Sequence, residues 1–213
     1  MLTFSVSVLS NSLEKMMVAP NVIIDGKPLV EYANIWWQWT YTMPQNLSPV
    51  RDMTGENCHQ GQKGNVWFLA GGYGSSMINR KCEVPAGKHI FFPVINMIYY
   101  PRNGYSLSCD IAKRSAALNN NELPYIEIEL DSVKAVSPAN TRLASENCFD
   151  LLGLIPRELN PPKVYPSASD GYWVMLKPLS KGKHILTFKA SYDQDNSAYG
   201  KMLQHIRYEL TII

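Results

Sequence analysis

Hydrophobic positions first recur at three- and four-residue spacing in PLVEYANIWWQWTYTM at 28–43, where Leu29, Tyr32, Ala33, Trp36 and Trp39 share one side. That period predicts an amphipathic helix, opened by Pro28 at its first position and ended by Pro44. A second helix is predicted over 110–118, around IAKRSAAL. Elsewhere the period shortens to two between turn signals, which predicts strands at 65–70, 90–95, 125–130, 172–177, 184–190 and 206–213. The last places Ile206, Tyr208, Leu210 and Ile212 on one face and Arg207, Glu209 and Thr211 on the other, as a half-buried strand requires. Before it, GYWVMLKPLSKGKHILTFKAS reads as two strands joined by a turn at 178–183, with Gly182 supplying the permissive backbone.

This rhythm predicts a mainly β fold. The expected architecture is an antiparallel β-sandwich, jelly-roll-like, with one or two short helices packed at its edge. At 213 residues the chain suits a single domain spanning 1–213. Residues 1–25 read as a disordered or strand-like arm. Residues 137–169, rich in Pro, Asn and Ser around the apolar island Leu151 to Ile155, read as a long excursion pinned by Cys148.

Composition narrows the function classes. The formal charge is +2 and is spread along the chain, so there is no basic stripe of the kind that grips a nucleic acid. No apolar run approaches the ~18 residues of a membrane-spanning helix, and the amino terminus shows no evident signal peptide. Cys58, Cys82, Cys109 and Cys148 allow three pairings, and none lies in the close spacing of a zinc or redox motif. The pairs Cys58–Cys82 and Cys109–Cys148 are expected because each closes a local loop around one apolar stretch; the alternative is four buried thiols. Two disulfides would place the chain in an oxidising compartment, secreted or periplasmic.

The segments WWQW at 36–39, SPVRDMTGENCHQGQKGNVWFLAG at 48–71, RKCEVPAGKHIFFPVIN at 80–96 and DGYWVMLKPLSKGKHILTFKAS at 170–191 together resemble a family of uncharacterised, apparently secreted bacterial proteins. The likeness covers roughly residues 32–96 and 170–213. It implies a β-sandwich with Cys58 and Cys82 paired. It implies no reaction.

The chemistry-bearing residues give no catalytic signature and call for no cofactor or metal. Candidates for an acid–base pair are Asp52, His59, His89 and His184, of which His89 and His184 would converge if their strands were neighbours. Asp52, two residues before Thr54-Gly55, also reads as an Asx-type turn whose carboxylate accepts backbone N–H groups. Asp193, Asp195 and Asn196 are spaced like the opening of a calcium loop without its Gly and closing Glu. The Gly-rich AGGYGSS at 70–76 reads as a mobile loop between strands, where binding residues gather. Around it Trp37, Tyr73, Arg80, Asn96, Tyr99 and Tyr100 are the candidate ligand-binding residues, while Trp36 and Trp39 are assigned to the sandwich core. The expected function is binding of a small molecule, carbohydrate or cell-envelope component. A hydrolase or lyase and a protein-interaction module are the alternatives. Two titratable groups converging in one pocket would favour the enzyme, and aromatics lining a groove without them would favour the binder.

Overall fold

The computed structural model describes residues 13–74, 77–102, 106–121, 125–138, 140–192 and 199–213. Residues 13–16 are helical, and Met17 then makes an isolated antiparallel bridge to Leu176. A hairpin follows, β1 (Ile23–Ile24) and β2 (Lys27–Pro28), turning through Asp25 and Gly26, both at positive φ. An Asp-Gly pair suits such a tight turn because both central residues need the left-handed region. Helix α1 (Leu29–Thr42) begins directly after it, with Pro28 extended as the cap and not helical as expected. Pro44 ends the helix by pushing Met43 into extended backbone.

The chain continues as β3 (Val66–Phe68), β4 (Met77–Val84), β5 (His89–Tyr99), helix α2 (Cys109–Ala117), β6 (Tyr125–Leu130), β7 (Val133–Val136), β8 (Arg142–Ala144), β9 (Ala168–Leu176), β10 (Gly182–Tyr192) and β11 (Met202–Ile212). Five strands pair in the order β4-β11-β10-β6-β7 and four in the order β3-β5-β9-β8. The fold is mainly β, with three sheets and few short helices. The wholly antiparallel pairing expected from the sequence is corrected: β4 runs parallel to β11 and β3 parallel to β5. The reason is connection length. The link from β3 to β5 passes through β4 in the other sheet, and such a crossover returns a strand in parallel.

One cluster of buried side chains draws on both large sheets, with Phe92 of β5 stacked 4.7 Å from Phe188 of β10. The faces of Ile206, Tyr208, Leu210 and Ile212 enter it as the alternation predicted. Strand β9 is buried along its whole length: Tyr172, Val174 and Leu176 belong to that core, while Trp173 and Met175 face the other way into a second cluster with α1. Trp36 and Trp39 lie in this second cluster, so α1 covers a face of the four-stranded sheet and not an edge, and its tryptophans fill a separate core. Trp36 packs edge-on to Trp173 at 5.5 Å and donates its indole N–H to the Leu69 carbonyl at 2.9 Å.

Two disulfides cross-link the fold, and the first of them, Cys58–Cys82, is buried in the main core. Cys58–Cys82 ties the 50s loop to β4, and Cys109–Cys148 ties the first turn of α2 to the excursion just after β8. The excursion closes on itself through reciprocal main-chain bonds between Phe149 and Ser167, both 2.9 Å. No helix of the described residues is long and apolar enough to cross a membrane.

Candidate functional site

Strand β5 alternates until it reaches a proline. Ile90, Phe92 and Val94 point into the inter-sheet core and Phe91 into the cluster under α1. The register with β9 then slips between Pro93 and Ile95, and Val94 and Ile95 both face the inter-sheet core. Proline lacks an N–H and is tolerated where a ladder bond is already interrupted. The one-residue slip exchanges the faces of everything after it. Asn96 and Ile98 are thereby turned toward α1, where they help to line a groove of ≈ 490 Å³.

The groove runs between β5, the second half of α1 and the loop at 71–73. Trp37 and Tyr41 come from α1, with rings 6.2 Å apart. Trp37 is half-buried and uses its indole N–H on Ser169 Oγ at 3.0 Å, so it offers the groove a ring surface and no donor. The Tyr41 hydroxyl donates to the Tyr100 hydroxyl at 3.2 Å, and burial, reinforced by that bond, pushes its pKa up and keeps it neutral. Tyr73 stands out from the loop at 73% exposure.

Among the described residues, two arginines and no carboxylate line this groove. The guanidinium of Arg51 lies 5.5 Å from the Tyr73 ring centroid, and that of Arg102 lies 5.2 Å from the Tyr100 centroid. Tyr41 is within electrostatic reach of both Tyr73 and Arg102, which joins the two pairs across one surface. On the floor, Asn96 is 7% exposed, and its buried Nδ2 has no hydrogen-bond partner among the described residues. A buried amide donor without an acceptor is costly, so this one, lining an open groove, is left to an oxygen of water or of a ligand.

The wall at 70–73 is braced. Gln204, 1% exposed, accepts from Gly72 N–H at 3.1 Å and donates to Gly72 O at 2.8 Å. Arg80 donates to Ala70 O at 2.7 Å and Gly71 O at 2.9 Å, and Tyr208 Oη bonds both the N–H and the carbonyl of Ala70. A Cβ at Gly72 would meet Ile78 Cδ1 at 2.6 Å, which explains the small residue. Residues 70–72 of the loop are thus held by side chains of β4 and β11, while residues 75 and 76 lie outside the described residues. The calcium-like spacing at Asp193, Asp195 and Asn196 lies outside them too.

Of the expected ligand-binding residues, the structure brings Trp37, Tyr73 and Asn96 together, with Tyr100 beside them through Tyr41. Tyr99 ends β5 opposite Ala168 and is not in the lining. Arg80 is not a groove residue: it is 2% exposed and serves as the clamp just described. Arg51, Arg102 and Tyr41 do not stand out in the sequence, where a lone arginine in a loop looks like any solvated charge.

The acid–base candidates stay apart. Asp52 is saturated: its Oδ1 accepts from Thr54 N, Thr54 Oγ1 and Gly55 N at 2.7–3.0 Å, and its Oδ2 from Asn57 N at 2.8 Å. Burial pushes its carboxyl up, and these bonds outweigh it and hold the pKa below the usual carboxylate range. His59 is exposed and bonded to Gln60. His89 is in the four-stranded sheet and His184 in the five-stranded one, so they are not strand neighbours, which corrects the suggested convergence. Burial lowers the His89 pKa and keeps the ring neutral.

His184 forms a Ser-His-Asp arrangement, with Nδ1 2.6 Å from Asp131 Oδ2 and Nε2 3.4 Å from Ser180 Oγ. It lacks the chemistry of a triad. Nε2 lies closer, at 2.9 Å, to the Ser180 carbonyl, which only accepts. Both ring nitrogens therefore donate, and the imidazolium this requires cannot take a proton from serine. Against burial, which alone would lower it, the bonds to Asp131 and Ser180 raise the His184 pKa.

A larger cavity of ≈ 750 Å³ lies between α1, β3 and residues 154–159. Its lining is largely apolar with Asp25, Lys27 and Lys63 at its rim, and its amide, indole and phenol groups are partnered within the chain: Asn65 with Asp25 at 3.0 Å, Trp39 with Gln60 O at 2.8 Å, Tyr32 with Ile24 O at 3.0 Å. Of the two, the smaller groove is the one that combines ring faces, cations and an unmet donor. No family model matches the chain, and comparison with curated proteins and with solved structures finds no match.

Proposed function

We propose that this chain is a single-domain, jelly-roll-like β-sandwich that works outside the cytoplasm and binds a saccharide, from the cell envelope or its surroundings, without transforming it. The observation that carries the reading is the Asn96 amide, buried and unpartnered among the described residues, on the floor of a groove walled by Trp37, Tyr41 and Tyr73. Sugars present C–H faces that stack on aromatic rings and ring-edge oxygens that accept from an amide. The two disulfides suit an oxidising compartment. A binder is favoured over a hydrolase or lyase because the four acid–base candidates stand apart and the described groove lining holds no carboxylate or histidine.

The test is retardation of the native protein in gels carrying dissolved polysaccharides, neutral and acidic. The parent is slowed in at least one, and Tyr73→Ala, an exposed position whose loss spares the cores, migrates freely with an unchanged melting temperature. Free migration of the parent in every gel, or equal retardation of the variant, would overturn the proposal.

A further inference from the structure

We infer that the saccharide held in this groove is acidic, its oxyanion gripped by Arg51 and Arg102. The inference rests on the saccharide-binding reading and goes past it to the class of sugar. The described groove lining contains both arginines and not one acidic side chain to neutralise them. The net charge of the whole chain is only +2, so this positive surface is a local feature and not part of a general basic field.

A ring beneath each guanidinium prepares it for an anion. Arg51 lies over Tyr73 and Arg102 over Tyr100, so each cation is held near a ring face. A tyrosine ring face takes up none of the N–H donors in a hydrogen bond to oxygen, and the guanidinium fork is left for an oxyanion. Fixing the side chain beforehand also lowers the ordering cost of binding. Tyr41 links the two pairs through its bond to Tyr100 and its proximity to Tyr73, and the amide of Asn96 adds a neutral donor beneath them. The two guanidinium groups and the amide donate to oxygen, and a ligand rich in acceptor oxygens with a negative charge satisfies them together. A neutral sugar meets the rings and the amide and leaves the cations without a counter-charge.

Carboxylate and sulfate esters share this chemistry, and a calorimetric comparison separates them. The native protein is titrated with trigalacturonate, its fully methyl-esterified form and a sulfated galacto-oligosaccharide, each at about 20 mM and about 300 mM salt. Trigalacturonate or the sulfated sugar is expected to bind at least about tenfold more tightly than the neutral ester at low salt. The gap is expected to narrow at high salt, as screening of an exposed ion pair demands. Arg51→Gln and Arg102→Gln are each expected to weaken the acidic sugar about tenfold, the scale of one charge-assisted contact, and to leave the ester within about threefold. The better of the two acids identifies the oxyanion. If the ester binds as tightly as both acids, the groove takes neutral sugar: the inference falls and the saccharide reading stands. If none of the three binds, both fall.

Discussion

Arg80 meets Asp52 at its main-chain carbonyl, with Nε donating at 2.7 Å, while the Asp52 carboxylate is spent on the backbone of 54–57. The two residues fix one loop from opposite sides without forming an ion pair. The Asx-type turn expected at Asp52 is therefore present and is fuller than expected, since Oδ2 is engaged as well.

Replacing Asp52 with Asn keeps an oxygen for the bonds at Oδ1 but turns an N–H₂ toward Asn57 N–H, so a loss of about 1 kcal/mol is expected. Asp52→Ala removes every acceptor and should cost about 2–3 kcal/mol. Because the folded pKa is depressed, the stabilisation is present above the unfolded value of about 3.9 and is lost as pH falls through the folded pKa. Denaturant melts from pH 7 down to pH 2 should show the parent losing this increment and Asp52→Asn remaining flat in it. An Asn variant with the parent's acid sensitivity contradicts the assignment.

Arg80 is buried against neutral acceptors: the carbonyls of Val50, Asp52, Ala70 and Gly71, and Tyr208 Oη. Arg80→Met leaves several of these unpaired and should cost about 3–5 kcal/mol, at about 1–3 kcal/mol for each unmet buried group with partial relaxation. Tyr208→Phe strips partners from Ala70 and from Arg80 and should cost about 1–3 kcal/mol. Limited proteolysis should show new cleavage at 50–52 and 70–72 in the Arg80 variant. Cleavage elsewhere only would argue that the clamp is not what orders these loops.

Asp131 bonds His184 through Oδ2 and the Ile185 N–H through Oδ1 at 2.8 Å. Asp131→Asn retains the second bond and loses the ion pair. The raised His184 pKa means that the stabilisation is complete below the unfolded value of about 6.5 and disappears as pH rises through the folded pKa. The penalty of Asp131→Asn should therefore be about 0.5–1 kcal/mol near pH 5, the range of a partly exposed pair, and fade toward pH 9. Equal penalties at both ends refute the pairing of charged His184 with Asp131.

Gly171 faces Asn96 across the β5–β9 ladder, and a Cβ there would lie 2.6 Å from Asn96 Cα and 2.7 Å from Ile95 O. Both neighbours are backbone, so neither swings aside. Gly171→Ala should cost about 2–3 kcal/mol, as overpacking does, and should displace Asn96, reducing saccharide retardation even at temperatures where the variant is folded. Binding equal to that of the parent would show that the floor tolerates the shift.

Much of the scaffold is legible in the order of residues. The α1 stripe and the β11 alternation are local periodicities, and the cysteine pairs follow from closeness along the chain. Strand β4 is not legible in this way, although its burial alternates perfectly with Ile78, Arg80, Cys82 and Val84 inward. An arginine at a core position breaks the apolar pattern, and its acceptors come from loops at 50–52 and 70–71 that no local reading joins to it. The site is half legible. Trp37, Tyr73 and Asn96 attract attention by residue type, whereas Arg51 and Arg102 gain meaning only from the tyrosines beneath them.

The sequence by itself determined which residues seek the interior, because period and side-chain type are written locally: a mainly β chain, one tryptophan-striped helix, two loops of a length that disulfides close. The tertiary structure alone decided where those interiors are. The slip at Pro93 sends Asn96 toward α1 instead of into the inter-sheet core, and the parallel pairing of β4 with β11 sets Arg80 beside Tyr208. Such outcomes depend on contacts between segments distant in the chain, such as Arg80 with Tyr208 at a separation of 128. Long-range register leaves no trace in the spacing of neighbours, and it is register that turned scattered aromatics, two arginines and one amide into a single groove.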